Sequence, residues 1–396
     1  MTNPKLVVVG AGPIGLDTAL QAQLAGFDVT VLERGRVAEA VLSWGHVRLF
    51  TPFQMNSSKA GRAAAGVENQ IRHDALLTGR EYVQSYLKPL SQSAALVGRI
   101  REHHEVLAVS RELTGKSQLI GKPARAIRPF RILVRNDQRE EVITADILID
   151  STGFMSRHRW IGNGGIPARG EQHFLSESNY QIPGRDSQSL DAFAGQSVLV
   201  VGSGFSAATS VCLLNTIRQQ SPGTQIHWFT RNRNEQPMRP IRSDPLEERA
   251  RLTREANQLV ASGGVSWVAG AAVDQINSAG GRLRVCFEVS GIRDEITVDR
   301  IVANPGYRPD PTPFEELQIH RCYATDGPIK LAAHLLGDSS GDCLTQQAAG
   351  IDLLKNPEPG FFIVGAASYG RDSRFLMQNG IQQAADLIGS LKESVQ

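Results

Sequence analysis

Cysteine is scarce in this 396-residue chain and nowhere paired: Cys212, Cys286, Cys322 and Cys343 show no C-x-x-C spacing. That argues against a zinc knuckle and against a dithiol redox motif. The nine histidines show no ligand spacing, and the adjacent His103 and His104 cannot both face one metal from regular structure, so no metal is expected. Aromatic residues make up only 6%, the formal net charge is +2, and no basic stripe is interleaved with stacking residues, so nucleic acid is not an expected partner. No apolar run approaches the roughly 20 residues needed to span a bilayer. The first apolar strand starts so close to residue 1 that a secretory leader is not expected. A cytoplasmic protein without a membrane partner follows as the expectation. No Ser/His/Asp set comes with a nucleophile elbow.

What the chain has is glycine, 38 residues of it, in two telling places. The apolar run Leu6 to Val9 reads as a buried parallel strand and breaks at Gly10-Ala11-Gly12-Pro13-Ile14-Gly15. A helical pattern follows to Gly26, then a second strand from Phe27 to Leu32 that ends on Glu33 and Arg34. Strand, glycine turn, helix, strand and terminal acid in this order are the requirements of dinucleotide binding. Gly10 permits the tight turn, Gly12 lets backbone approach a pyrophosphate, and Gly15 lets helix pack on strand. The helix N-terminus offers N–H groups and partial positive charge, and Glu33 can accept from a ribose diol.

The same logic recurs about 190 residues later. Ser197 to Val201 leads into Gly202-Ser203-Gly204-Phe205-Ser206-Ala207, a helix, and a strand Gln225 to Phe229. This strand ends in Thr230-Arg231-Asn232-Arg233 rather than an acid, which favours a 2′-phosphate and so NADPH. Solvated loop charges are the alternative for Arg231 and Arg233. Two further strand-to-glycine turns, Asp146 to Gly153 and Asp299 to Gly306, echo one another. Thr78 to Leu90 reads as a capped helix, and Phe375 to Leu391 as the closing helix. Residues 161–189, rich in Gly, Pro, Ser and Asn, read as a linker, and 311–357 show no clear pattern.

With both glycine turns located, the chain resembles the two-dinucleotide-binding-domain flavoproteins, the superfamily of thioredoxin-reductase-like enzymes and flavin-containing monooxygenases. The resemblance implies an α/β fold with two nested Rossmann-like domains. An FAD domain on 1–160 and 305–396 would carry an inserted NADPH domain on 190–304. It implies that Gly10, Gly12, Pro13, Ile14, Gly15, Glu33 and Arg34 hold the FAD pyrophosphate and ribose, that Val106 lies against adenine, and that Thr152 and Gly153 flank the ribityl chain. Gly365 would seat the flavin end, and Arg371 could reach flavin or substrate, a surface-loop arginine being the alternative. Ser43-Trp44-Gly45 looks like the tryptophan-containing FAD segment of the monooxygenases, and Asn56-Ser57-Ser58 like their loop whose asparagine steadies an oxygenated flavin.

That branch implies NADPH-driven oxygenation of nitrogen or sulfur in a small molecule. Against it, Ile182 to Asp186 lacks the histidine-bearing linker signature of those enzymes. The competing reading is an NADPH-dependent reductase of a low-molecular-weight disulfide with Cys343 as the thiol, although position 14, where one single-cysteine group carries its cysteine, is Ile14. A third is a flavin-binding redox sensor without turnover. Self-association into a homo-oligomer is compatible with all three.

Overall fold

The computed structural model describes residues 3–137, 139–337, 344 and 350–395. It divides into two compact units, one of residues 1–157 with 308–396 and one of residues 158–307.

The first unit is built on a parallel sheet of five strands in the order Phe361–Ile363, Ile147–Asp150, Lys5–Val9, Asp28–Leu32, Ile100–Arg101. Leu6, Val8, Leu148 and Ile149 are fully buried. Strands covered on both faces read as continuous aliphatic runs, which is why these segments lack alternation. The helix Pro13–Leu24 follows the first glycine turn, and its Leu16, Ala19 and Leu20 are buried. The closing helix Met377–Val395 adds Leu387 and Ile388 to the same core. An antiparallel sheet of His104–Arg111, Phe130–Asn136 and Arg139–Ala145 is appended, with a bulge between Val106 and Ala108. The capping box at Thr78 and Glu81 is formed, and the helix it opens passes through a π-helical turn at Val83–Leu87.

The second unit repeats the plan. Its parallel sheet runs Ser266–Ala269, Gln225–Thr230, Ser197–Val201, Arg300–Ala303, with the helix Phe205–Gln220 after the second glycine turn. A second antiparallel sheet joins Ala272–Ala279, Arg282–Val289 and Ile292–Val298.

Residues 161–189, linker-like in composition, pack inside this second unit. Ile161, Ala168, Leu175 and Tyr180 sit in its core. They are gathered by Glu171, whose fully buried carboxylate accepts from the N–H groups of Ile161 (2.9 Å) and Ala168 (2.7 Å) and from the Tyr180 hydroxyl (2.7 Å). Glycine-rich chain without periodicity can still be ordered when one buried acceptor collects its orphan donors.

A device of much longer range in sequence fixes the appended sheet of the first unit. Glu358, fully buried, accepts from Arg111 Nε at 2.8 Å and from Arg125 Nη2 at 2.7 Å, both guanidiniums being 1% exposed. The Gln318 N–H donates to it as well. Burial alone would raise this carboxyl, but Arg125, the Gln318 N–H and Arg111 outweigh it and hold it below the usual glutamate range. Its stabilising effect is therefore present above the ordinary value of 4.5 and fades as pH falls through the lowered native value. Removing one partner of such a group strands buried charge at a cost of about 3–5 kcal/mol. Glu358→Ala is expected to lose that much in urea denaturation at neutral pH, with the gap to wild type narrowing in acid; a change under about 0.5 kcal/mol contradicts the assignment.

Candidate functional site

At the carboxyl end of the first sheet the strand Lys5–Val9 stops because Gly10 takes φ +102°, a conformation L side chains rarely adopt. A Cβ there would also lie 2.9 Å from the Ser151 carbonyl. Gly15 is dictated by packing: its Cβ would sit 2.0 Å from the Gly10 oxygen.

Gly12 is different. Its dihedrals (φ −77°, ψ −175°) suit any residue, and a Cβ would meet nothing within 4 Å. It is the N-cap of the helix Pro13–Leu24, and no side chain caps that helix. Neither backbone nor neighbours call for glycine here. A space left open above uncapped helix-terminal N–H groups is what a phosphate requires.

Around this opening the structure gathers several of the expected residues. Glu33 is half-buried, and its Oε2 accepts from the Ala11 N–H at 2.8 Å while Oε1 accepts from Gly35 at 2.9 Å. The carboxylate is thus pinned beside the turn with acceptor capacity remaining on each oxygen. Thr152 donates both its N–H (3.0 Å) and its hydroxyl (2.7 Å) to Asp150, a buried carboxyl that desolvation pushes up. Gly153 follows at φ +72° with open space beside it. Gly365 (φ +67°) comes close to Ile14: its Cβ would touch that side chain at 3.1 Å. Its N–H is held by the buried Gln383 at 2.8 Å. Val106 is buried in the appended sheet, and Arg34 is exposed.

Other expected residues turn out to be engaged elsewhere. Trp44 donates to the Met155 sulfur at 3.2 Å and packs so closely on Gly79 that a Cβ there would lie 2.8 Å from the ring. Arg371 is paired with Asp326 at 2.6 Å.

Asn56 is 2% exposed, and the bonds of its carboxamide lie within its own loop. Nδ2 donates to the carbonyls of Thr51 (2.9 Å) and Pro52 (3.2 Å), and Oδ1 accepts from the Thr51 hydroxyl at 2.7 Å. The Tyr82 hydroxyl holds its main-chain oxygen. Two residues on, Ser58 donates to Asp17, a carboxyl on the first helix that burial raises despite the bonds from Ser58 and Gln21. This tie between the loop and the first helix was invisible in the sequence, because Asp17 reads as one polar residue on an apolar helix.

The second unit presents the same contrast between glycines. Gly202 (φ +147°) is required by packing, since a Cβ would lie 2.2 Å from the Asn304 oxygen. Gly204 (φ −99°, ψ 179°) is again an uncapped N-cap with nothing within 4 Å. Ser203 and Phe205 are partly exposed, Ser206 is exposed, and Ala207 is buried against Gly202. Thr230, buried, accepts from Trp267 at 3.0 Å. Arg231 and Arg233 beyond it are exposed, and Arg233 lies along Gly270.

Cys212 and Cys286 belong to this unit, the former buried with its thiol pushed up to about 12 by burial. Cys322, buried in the first unit, sits in the loop that supplies Asp326 to Arg371. Cys343 lies outside the described residues. Among the described residues no cluster of three His, Cys, Asp or Glu could hold a metal, and no helix is long and apolar enough to cross a membrane.

The two cradles thus fit two dinucleotides. Glycine-to-valine changes at the open positions should separate ligand from fold. Gly204→Val is expected to keep the circular dichroism of the wild type while raising the KM for NADPH at least about tenfold, the loss of one phosphate hydrogen bond. Gly12→Val should fold but purify without FAD. Unchanged cofactor affinity in both would contradict this use of the open space.

Residues 7–120 match the family model described as pyridine nucleotide-disulphide oxidoreductase. No curated protein matches the chain by sequence. Among solved structures the chain is similar to a bacillithiol disulfide reductase from Bacillus cereus (16% identity, 99% of each chain covered, TM-score 0.71). It is also similar to a thioredoxin reductase from T. acidophilum (14%, 100% of this chain and 99% of that one, 0.60) and a flavin-containing monooxygenase from Stenotrophomonas maltophilia (17%, 100% of each chain, 0.60). At these identities the likeness is one of fold. It is a fold that reductases and monooxygenases share.

Proposed function

We propose that this chain is an FAD-dependent, NADPH-oxidising oxidoreductase that works on a small molecule, with the first unit holding FAD and the second NADPH. The observation that carries the reading is the pair of open glycines, Gly12 and Gly204, each at an uncapped helix N-terminus at the carboxyl end of a parallel sheet. When bound, FAD would supply the redox chemistry that carries an electron pair from NADPH to an acceptor.

The chain's own residues bind and orient. In the first unit Gly10, Gly12, Pro13, Ile14 and Gly15 form the pyrophosphate turn, Glu33 meets the ribose, and Thr152, Gly153 and Gly365 border the rest of the cofactor. In the second, Gly202 to Ala207 receive a pyrophosphate and Arg231 and Arg233 read the 2′-phosphate. Asn56 acts as a positioning residue: its amide, satisfied by Thr51 and Pro52, sets the shape of the 51–58 loop.

For the acceptor we favour O2, with one oxygen atom delivered to nitrogen or sulfur of a small molecule and the other leaving as water. Supporting this over thiol chemistry, position 14 is an isoleucine packed against Gly365, and Cys322 of the first unit is only 4% exposed. The reductase reading draws on the likeness to the disulfide reductase and would use Cys343. An oxygen electrode with NADPH and a panel of amines and thioethers distinguishes them. Oxygen uptake that rises with an amine or thioether, unaffected by Cys343→Ser, supports oxygenation. Anaerobic NADPH oxidation that requires a disulfide and is lost in Cys343→Ser supports the reductase.

The nucleotide preference gives a further check. Charge-assisted hydrogen bonds are worth about 1.5–3 kcal/mol, so Arg231→Ala with Arg233→Ala should erode the preference for NADPH over NADH at least about tenfold. An unchanged ratio of kcat/KM values assigns these arginines to solvent.

A further inference from the structure

Between Glu112 and Asp137 the chain carries no acidic residue, while Lys116, Lys122, Arg125, Arg128, Arg131 and Arg135 fall within the stretch. It is the excursion that links the strands ending at Arg111 and starting at Phe130. Its aliphatic side chains face water: Leu113 is 87% exposed, Ile127 81% and Ile120 68%. Leu119 is exposed too, and Leu113 and Leu119 are both held at positive φ, +51° and +53°. An apolar side chain presented to solvent from a strained backbone is unfavourable twice over, and such positions persist where the surroundings impose them.

The surroundings do impose them. Arg125, fully buried, spends Nε and Nη2 on Glu358 and Nη1 on the carbonyls of Gly115 and Gln118, each at 3.0 Å. Gln318 donates to the carbonyls of Lys116 and Gln118 (2.6 and 3.0 Å), and Lys116 Nζ reaches the Glu315 carbonyl. The Arg111 guanidinium lies 3.6 Å over the Phe130 ring at the base. The excursion is therefore a braced platform, with its backbone oxygens turned in and its leucines, isoleucines and exposed cations turned out.

We propose that this platform docks on an anionic lipid surface. Exposed Lys116, Lys122, Arg128 and Arg131 outnumber the acids beside them, Glu112 at the stretch's edge and exposed Glu315 and Glu316 on the segment that Lys116 contacts, so the charge complementarity is with an anionic partner. A bilayer asks for dispersed aliphatic chains that enter the headgroup boundary and cations that meet phosphates. An acidic protein would be anchored by Trp, Tyr or Met in a packed pocket, and residues 113–129 contain none of these. The inference stands independently of the acceptor chemistry proposed above.

Full-length protein is sedimented with vesicles of phosphatidylcholine, alone or with about a third phosphatidylglycerol. Wild type is expected to pellet with the anionic vesicles only, and less so as salt is raised. Lys122→Glu with Arg128→Glu should cut the bound fraction at least about tenfold, and Ile120→Ser several-fold, with circular dichroism unchanged. Equal binding to both vesicle types, or variants that bind like wild type, overturns the proposal. So does retention on immobilised polyglutamate without vesicle binding, which assigns the platform to an acidic protein. A concentration-dependent dimer lost in Ile120→Ser overturns it in favour of a second copy.

Discussion

Two helix N-termini without side-chain caps, each opening on a glycine that its own backbone does not need, are the constraint around which this molecule is arranged. A helix start leaves N–H groups unsatisfied, and a folded chain normally meets them with a serine, threonine or aspartate. Here the chain does so at Ser58, Thr78 and Asp186, where the cap side chain accepts as usual. It does not do so at Gly12 and Gly204, nor at Leu246 and Gly350; of these, Gly12 and Gly204 are the two that follow directly on a parallel strand. The parallel sheets bring these two starts to their carboxyl ends, where open α/β sheets bind ligands. The rest of each unit braces that edge: Ser151 and Gly365 beside the first turn, Asn304 beneath the second.

The bracing has a common chemistry. Buried carboxylates and carboxamides tie the irregular segments together: Glu171 collects N–H groups within 161–180, Glu358 the guanidiniums of the excursion after Arg111, and Gln383 the Gly365 N–H of the closing turn, while Asn56 donates to carbonyls of its own 51–58 loop. Each is satisfied, which is why these groups stabilise rather than burden the fold. None announces itself locally.

That explains what could be read from the sequence and what could not. Both glycine turns were legible because each role there is set within a few residues: strand, φ, close packing, helix start. The α/β class and the capping box at Thr78 were legible for the same reason. The ordered packing of 161–189 was not, because it depends on Glu171 and on strand residues a hundred positions away, such as Asp274 beside Arg169. The role of Asn56 was read by analogy as a donor to an oxygenated flavin; its carboxamide is committed to Thr51 and Pro52, partners that sequence distance alone could not rank. Arg371 looked equally available and is held by Asp326. The place of Glu33 at the end of the second strand was legible; its bonds to the N–H groups of Ala11 and Gly35 were not.

If the two cradles serve one redox reaction, an anaerobic titration will show it. Purified protein reconstituted with FAD is mixed with increasing NADPH while the flavin absorbance is followed. The account predicts that the oxidised flavin band disappears at one equivalent of NADPH per bound FAD, and that far more NADH is needed. Protein that retains no FAD after desalting, or bound FAD that NADPH leaves oxidised, would contradict it.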